Sequence, residues 1–171
     1  MNLPRTVWIF WRQGFEEAPP LVQACVKSWQ LRNPGWTIRL TTEANIRDFL
    51  DPDYCDRVLA TNLSLRKTSN LFRMALIGRH GGVYADAECY CTRPLDTWID
   101  DATAAGFFAF SFIESERWFG KPNVSILKRL RARTMDRIIA SWFIAGLPGN
   151  TVTDHMVEPH LALLSKAQRT N

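Results

Sequence analysis

The sequence predicts an α/β layer fold, with a mostly parallel sheet flanked by helices, on three observations. Short runs rich in β-branched and aromatic residues alternate with helical patterns along the chain. Proline or glycine punctuates the changes from one kind to the other, as at Pro19-Pro20, Pro34-Gly35 and Gly81-Gly82. No repeat, low-complexity tract or linker interrupts the alternation, so residues 1–171 are expected to form a single domain.

Residues 6–11 (TVWIFW) read as a short buried strand. Pro19-Pro20 then opens a helix, with Leu21, Cys25 and Trp29 at four-residue spacing, and Pro34-Gly35 stops it. Residues 36–40 (WTIRL) alternate apolar and polar, the mark of a half-buried strand. Residues 42–50 are expected to form a short helix ended by a turn at Asp51-Pro52-Asp53. A longer helix is expected over 65–79, closed at Gly81-Gly82 where a glycine can take the left-handed cap. Strands follow over 83–90 and over 106–113 (GFFAFSFI). Residues 137–145 (RIIASWFIA) fit a strand or a buried helix, and the strand is the expectation; 151–166 reads as helix, interrupted at Pro159.

The 171 residues are 46% hydrophobic and 22% charged, which excludes disordered, collagen-like and disulfide-scaffold classes. Lys and Arg outnumber Asp and Glu, 21 to 17, for a net charge of +4, a bias toward anionic ligands. No apolar run reaches membrane-spanning length, and the N-terminus lacks the pattern of a signal peptide. A cytosolic location is therefore expected. The four cysteines (Cys25, Cys55, Cys89, Cys91) lack the C-x-x-C pairs of a zinc site and are expected to be free thiols, with Cys89 and Cys91 on one side of a strand.

In such sheets ligands bind beyond the carboxyl ends of the strands, which directs attention to residues 11–14 and 86–88. On a strand, Asp86 and Glu88 would point the same way. Two carboxylates that close repel unless a cation lies between them or one keeps its proton. Mg²⁺ and Mn²⁺ take such oxygen ligands together with substrate phosphates. The plain alternative is a solvated strand end. Upstream, Asn70 and Arg73 are i, i+3 neighbours on one helix face, able to hydrogen-bond a phosphate or a pair of sugar hydroxyls. For Arg73 alone, a surface ion pair is the competing account.

The run KTSNLFRMALIGRHGGVYADAECYCTRPLD resembles the signature of glycosyltransferases with a DXD-containing sugar-binding region. That group spans capsular polysaccharide transferases, yeast-type mannosyltransferases and, more distantly, the clostridial glucosylating toxins. Its pattern, S-D-x-x-R, a helix, G-G-[IV]-Y-x-D-x-D and then P-L, is matched by Ser69-Asn70-Leu71-Phe72-Arg73, by Gly81-Gly82-Val83-Tyr84-Ala85-Asp86-Ala87-Glu88 and by Pro94-Leu95. Residues 4–14, 33–40 and 141–150 extend the similarity over roughly residues 4–150. The resemblance implies a glycosyltransferase-A type fold, a nucleoside-diphosphate-sugar donor, a glycan acceptor such as a polysaccharide, a divalent metal (Mn²⁺ or Mg²⁺) and retention of anomeric configuration. It implies that Asp86 and Glu88 hold the metal and diphosphate, with Asp86 also touching the donor. Arg73 and Asn70 would contact the sugar or phosphate, and Trp11 would stack on the base. Tyr84 shares the strand face of Asp86 and suits either core packing or substrate contact. Asn70 and Glu88 stand where the family usually carries Asp, and the chain is shorter at its C-terminus than is usual there.

Two further features invite readings. His155, Glu158 and His160 do not share a helical face, so surface or capping roles are expected in place of zinc. The basic run 128–133 reads as a solvated helix face; the alternative is contact with an acidic polysaccharide, a lipid-linked phosphate or the inner face of the membrane. Two rival functions remain beside the transferase: a catalytically weak nucleotide-sugar-binding domain of the same fold, and a metal-dependent nuclease or phosphohydrolase. No nucleic-acid partner is expected.

Overall fold

The computed structural model describes residues 2–61, 63–112 and 138–155. Its centre is a five-stranded sheet in the order β2-β1-β3-β5-β4, from β1 (Thr6–Phe10), β2 (Thr37–Thr41), β3 (Gly82–Ala85), β4 (Phe107–Phe112) and β5 (Ile138–Gly146). β1 runs parallel to both β2 and β3, whereas β5 lies antiparallel to β3 and to β4. The sheet is thus parallel on one side and antiparallel on the other.

The alternation of side chains along each strand sorts the core into two layers. Val7, Ile9, Val83, Ala85, Phe143 and Ala145 face one side, where they pack with Val22, Val26 and Trp29 of helix α1 (Pro20–Arg32). Trp8, Phe10, Tyr84 and Ile144 face the other, against α2 (Pro52–Ala60) and α3 (Leu65–His80). A short helix α4 (Ile99–Ala102) precedes β4. Both faces of the central strands are covered, which accounts for their near-continuous apolar sequence.

Several expectations change in detail. Within α1, Leu21 is exposed, and the buried face is Val22, Cys25, Val26 and Trp29. The helix expected over 42–50 reduces to a 3₁₀ turn, Ile46–Asp48. There the side chains of Thr42 and Asn45 bind nearby backbone groups and compete with helical hydrogen bonds. Asp51-Pro52-Asp53 does not end a helix but starts α2: Asp51 accepts a bond from the Tyr54 N–H at 2.8 Å, and Pro52 occupies the first turn.

The most consequential change is at β3. The strand expected over 83–90 stops at Ala85, because the chain folds into a turn closed by the Cys89 N–H donating to the Asp86 carbonyl, 2.8 Å. Asp86 and Glu88 therefore do not share a strand face, and neither do Cys89 and Cys91. The α3 cap falls at Gly81 as expected and at positive φ (+66°), but ψ of −166° makes it extended in place of left-handed helical, a conformation that glycine alone adopts readily. Residues 151–155 are helical, while the rest of the expected C-terminal helix, Glu158, His160 and the basic run 128–133 lie outside the described residues.

Candidate functional site

The parallel register, Val7 opposite Val83 and Trp8 opposite Tyr84, brings the carboxyl ends of β1 and β3 to one edge of the sheet. Trp11 follows β1 there, half-buried against the α1-side core, with its N–H bonded to the Thr41 carbonyl. Asp86 follows β3. Behind it, α3 presents Arg73, which is 2% exposed. Such burial rules out the surface ion pair considered for Arg73.

Three hydrogen bonds hold that guanidinium. Nε donates to the Ser69 carbonyl, one terminal nitrogen donates to the Ser141 carbonyl, and the other reaches Asp86 Oδ1 at 2.7 Å. The cation also lies 4.8 Å from the centre of the Tyr84 ring. Arginine carries five N–H groups, so two are left over among the described contacts. Burial pushes the Asp86 carboxyl above its ordinary range; Arg73 opposes that shift, and the nearby charge of Glu88 adds to it. Glu88 itself is exposed.

Two buried polar atoms in this region have no partner among the described residues, Asn70 Oδ1 and the Tyr84 hydroxyl. Buried polar atoms are nearly always satisfied, so both stand ready for a hydroxyl or a water. Burial also raises the Tyr84 phenol well above its ordinary range, keeping it neutral and able to donate. The structure thus joins Arg73, Tyr84 and Asp86 directly. Asn70 lies one helical turn before Arg73, Glu88 lies in the turn facing solvent, and Trp11 lies at the same sheet edge, its side chain not bonded to them.

The loop after β3 is anchored from α1. The Ser28 hydroxyl accepts from the Cys91 N–H, the Trp29 indole donates to the Cys89 carbonyl, and buried Asn33 accepts from the Leu95 N–H. From the other side, the Trp142 carbonyl of β5 accepts from the Asp86 N–H at 2.8 Å and from the Cys89 thiol at 3.6 Å. Sequence reasoning misses these supports: backbone carbonyls carry no residue signature, and Ser28 and Asn33 look like ordinary helix polar positions.

All four cysteines are free. Burial pushes the thiols of Cys55 and Cys89 up to about 11, in the latter case helped by the charge of Asp86. Raised values keep them protonated through neutral pH, with roughly one thiolate in a thousand at pH 8. Native protein at pH 8 should therefore resist iodoacetamide at both positions, read by peptide mass spectrometry, and react readily once unfolded in urea. Rapid native alkylation of Cys89, which is only half-buried, would contradict the upward push on its thiol.

His80 is structural, its Nε2 2.7 Å from the Phe49 carbonyl and its ring against Trp8. His155 Nδ1 lies 2.8 Å from the Thr151 carbonyl within its own helical turn.

The sequence model of the family described as "Capsular polysaccharide synthesis protein" matches residues 1–170. The chain belongs to that family. The chain is 26% identical over 103 residues to "O-glycosyltransferase braB" of Annulohypoxylon truncatum, covering 54% of this chain and 24% of that one. It is 29% identical over 103 residues to "Glycosyltransferase afumC" of Aspergillus fumigatus, covering 54% of this chain and 26% of that one. The match thus spans about a quarter of the length of these relatives. Among solved structures, "PaToxG Glycosyltransferase" superposes with a TM-score of 0.61 at 12% identity, covering 99% of this chain and 63% of that one. The fold of this family member is accordingly of the glycosyltransferase-A type.

Proposed function

We propose that this chain is a glycosyltransferase domain that binds a nucleoside-diphosphate sugar at the carboxyl ends of β1 and β3 and passes the sugar to a glycan acceptor. The observation that carries the reading is the ion pair of buried Arg73 with half-buried Asp86 at the end of β3, flanked by Asn70 Oδ1 and the Tyr84 hydroxyl, which have no partner among the described residues. The names of its relatives support the same chemistry.

A divalent metal, Mn²⁺ or Mg²⁺, fits the donor set. Asp86 and Glu88, two residues apart at the turn after β3, offer hard oxygens; burial and, after it, the charge of Glu88 push the Asp86 carboxyl up against the pull of Arg73, and a cation relieves the repulsion between the two acids. Among the described residues no cluster of three or more His, Cys, Asp or Glu side chains could hold a metal, so phosphate oxygens and water would complete the shell. A bound cation would supply positive charge against the diphosphate leaving group.

The chain's own groups do the rest. Arg73 fixes the Asp86 carboxylate and turns its two remaining N–H groups toward phosphate or sugar hydroxyls. Asn70 and Tyr84 offer an acceptor and a donor for those hydroxyls, a pairing that selects among sugars because an unmatched buried group is costly. Trp11 presents an apolar face to the base. The carboxylates hold the leaving group's surroundings and are not general bases, which suits retention of configuration. A cytosolic site of action, and one domain comprising the whole chain, belong to the same proposal.

The test is calorimetric titration of UDP, GDP and their common sugars with Mn²⁺ and with EDTA, followed by donor turnover. One nucleotide should bind only with metal. Glu88→Ala, a change at an exposed position, should leave the melting temperature within about 1 °C and weaken metal-dependent nucleotide binding at least tenfold. Unchanged binding in that variant would remove Glu88 from the site.

A further inference from the structure

The ladder between β4 and β5 breaks beside the site. From the pair Ala109–Ile144 to the pair Ser111–Ile139, β4 advances by two residues and β5 by five, so residues 140–143 stand opposite Phe110 alone. Bulges of this kind bend a strand and re-aim its groups. Here the bulge serves two sides. Its Ser141 and Trp142 carbonyls turn to Arg73, Asp86 and Cys89. Its Trp142 ring turns out, 43% exposed, and stacks on Phe110 at 4.9 Å and 12°.

These two rings border a cleft of about 460 Å³, whose walls include Trp29, Leu95, Trp98, Phe108 and Phe143. That volume lies in the range of small-molecule sites. Three polar groups of its walls are already spent: the Trp29 indole on the Cys89 carbonyl, the Cys89 thiol on the Trp142 carbonyl, the Cys91 thiol on the Arg93 carbonyl. A bare sugar, whose hydroxyls need partners, suits such walls poorly. Polar groups stand at the exposed rim, namely Tyr90, Thr92 and Arg93. Arg93 spends two N–H groups on Thr97 and keeps the others free among the described contacts.

We propose that this cleft seats the apolar chain of a lipid-linked acceptor, with Arg93 at the rim facing its phosphate. The assignment rests on the transferase reading for the word acceptor, but the cleft itself does not. Through Trp142, whose carbonyl accepts from the Asp86 N–H, and Cys89, one wall of the cleft adjoins the Asp86 turn.

The probe is farnesyl phosphate below its micellar concentration, followed by tryptophan fluorescence, with farnesol, inorganic phosphate and methyl glucoside as comparisons. Farnesyl phosphate should bind saturably, farnesol more weakly, and inorganic phosphate and methyl glucoside not at all. Phe110→Ala should weaken farnesyl phosphate at least tenfold while nucleotide titration is unchanged. Tyr90→Ala, at a 59% exposed position, repeats the test should the first variant unfold. Arg93→Gln should bring the affinity for farnesyl phosphate down to that for farnesol. Absence of saturable farnesyl phosphate binding, equal binding in Phe110→Ala, or a response to methyl glucoside alone would overturn the proposal. Lipid binding in a protein that binds no nucleotide would uphold the cleft and sink the transferase reading instead.

Discussion

Gly82→Ala should lower stability by about 3–5 kcal/mol and the melting temperature by roughly 6–20 °C. Gly82 has φ +93°, and a Cβ there would lie 2.5 Å from the Thr6 carbonyl oxygen and 3.3 Å from that of Pro4. The first term is backbone strain, about 1–2 kcal/mol for a residue with a Cβ at positive φ. The second is steric and larger, since the contact is with backbone of the neighbouring strand and not with a side chain that can swing away. To relieve it, β1 and β3 must separate at the ladder that brings Trp11 and Asp86 to the same sheet edge. Gly14→Ala is the control. Its φ is +98° but nothing lies within 4 Å of the added carbon, so only the strain term of about 1–2 kcal/mol applies. Differential scanning calorimetry of the two variants separates the contributions; equal losses would mean that β1 is free to move.

Arg73→Ala is the second large effect, a loss of about 3 kcal/mol together with all donor binding. Removing the cation leaves a half-buried carboxylate, two backbone carbonyls without their donor and a vacated space over Tyr84. The value is taken at the low end of the buried-pair range because the Asp86 side chain remains 37% exposed and water can reach it. Arg73→Lys keeps the charge but presents a point donor in place of a planar fork, so it cannot serve the Ser69 and Ser141 carbonyls and Asp86 together. It should recover about half of the stability in urea unfolding and little of the donor affinity. If Arg73→Lys bound nucleotide as wild type does, the guanidinium would have no positioning role.

Together these predictions locate what the double glycine and the arginine do in the motif. The glycines permit a close strand contact that no side chain would tolerate. The arginine turns a helix face into a fixed support for the carboxylate at the strand end. Neither acts on the chemistry alone; each decides where Asp86 sits.

The strands, α1, the long helix α3 and its glycine cap could be read from composition and punctuation, because each has a strong local cause. Proline fixed the start of α1, and a β-branched, aromatic run made β1. The boundaries that failed were those where a side chain captures the backbone. Thr42 and Asn45 dissolved a helix, and Asp51 began one where a turn was expected. At β3 the error was of period: residues 83–90 look like one strand, yet the turn at Asp86–Cys89 removes the shared face that made the two carboxylates seem paired.

By itself the sequence determined the α/β class, the family and the identity of the chemical groups, since these depend on residue type and spacing along the chain. Only the tertiary structure decided that Arg73 is buried against Asp86, that Asn70 and Tyr84 carry polar atoms unspent among the described residues, and that a bulge in β5 links this site to an aromatic cleft. Those are contacts between residues 13 to 68 positions apart, several of them made through backbone carbonyls that every residue possesses, so no local pattern encodes them.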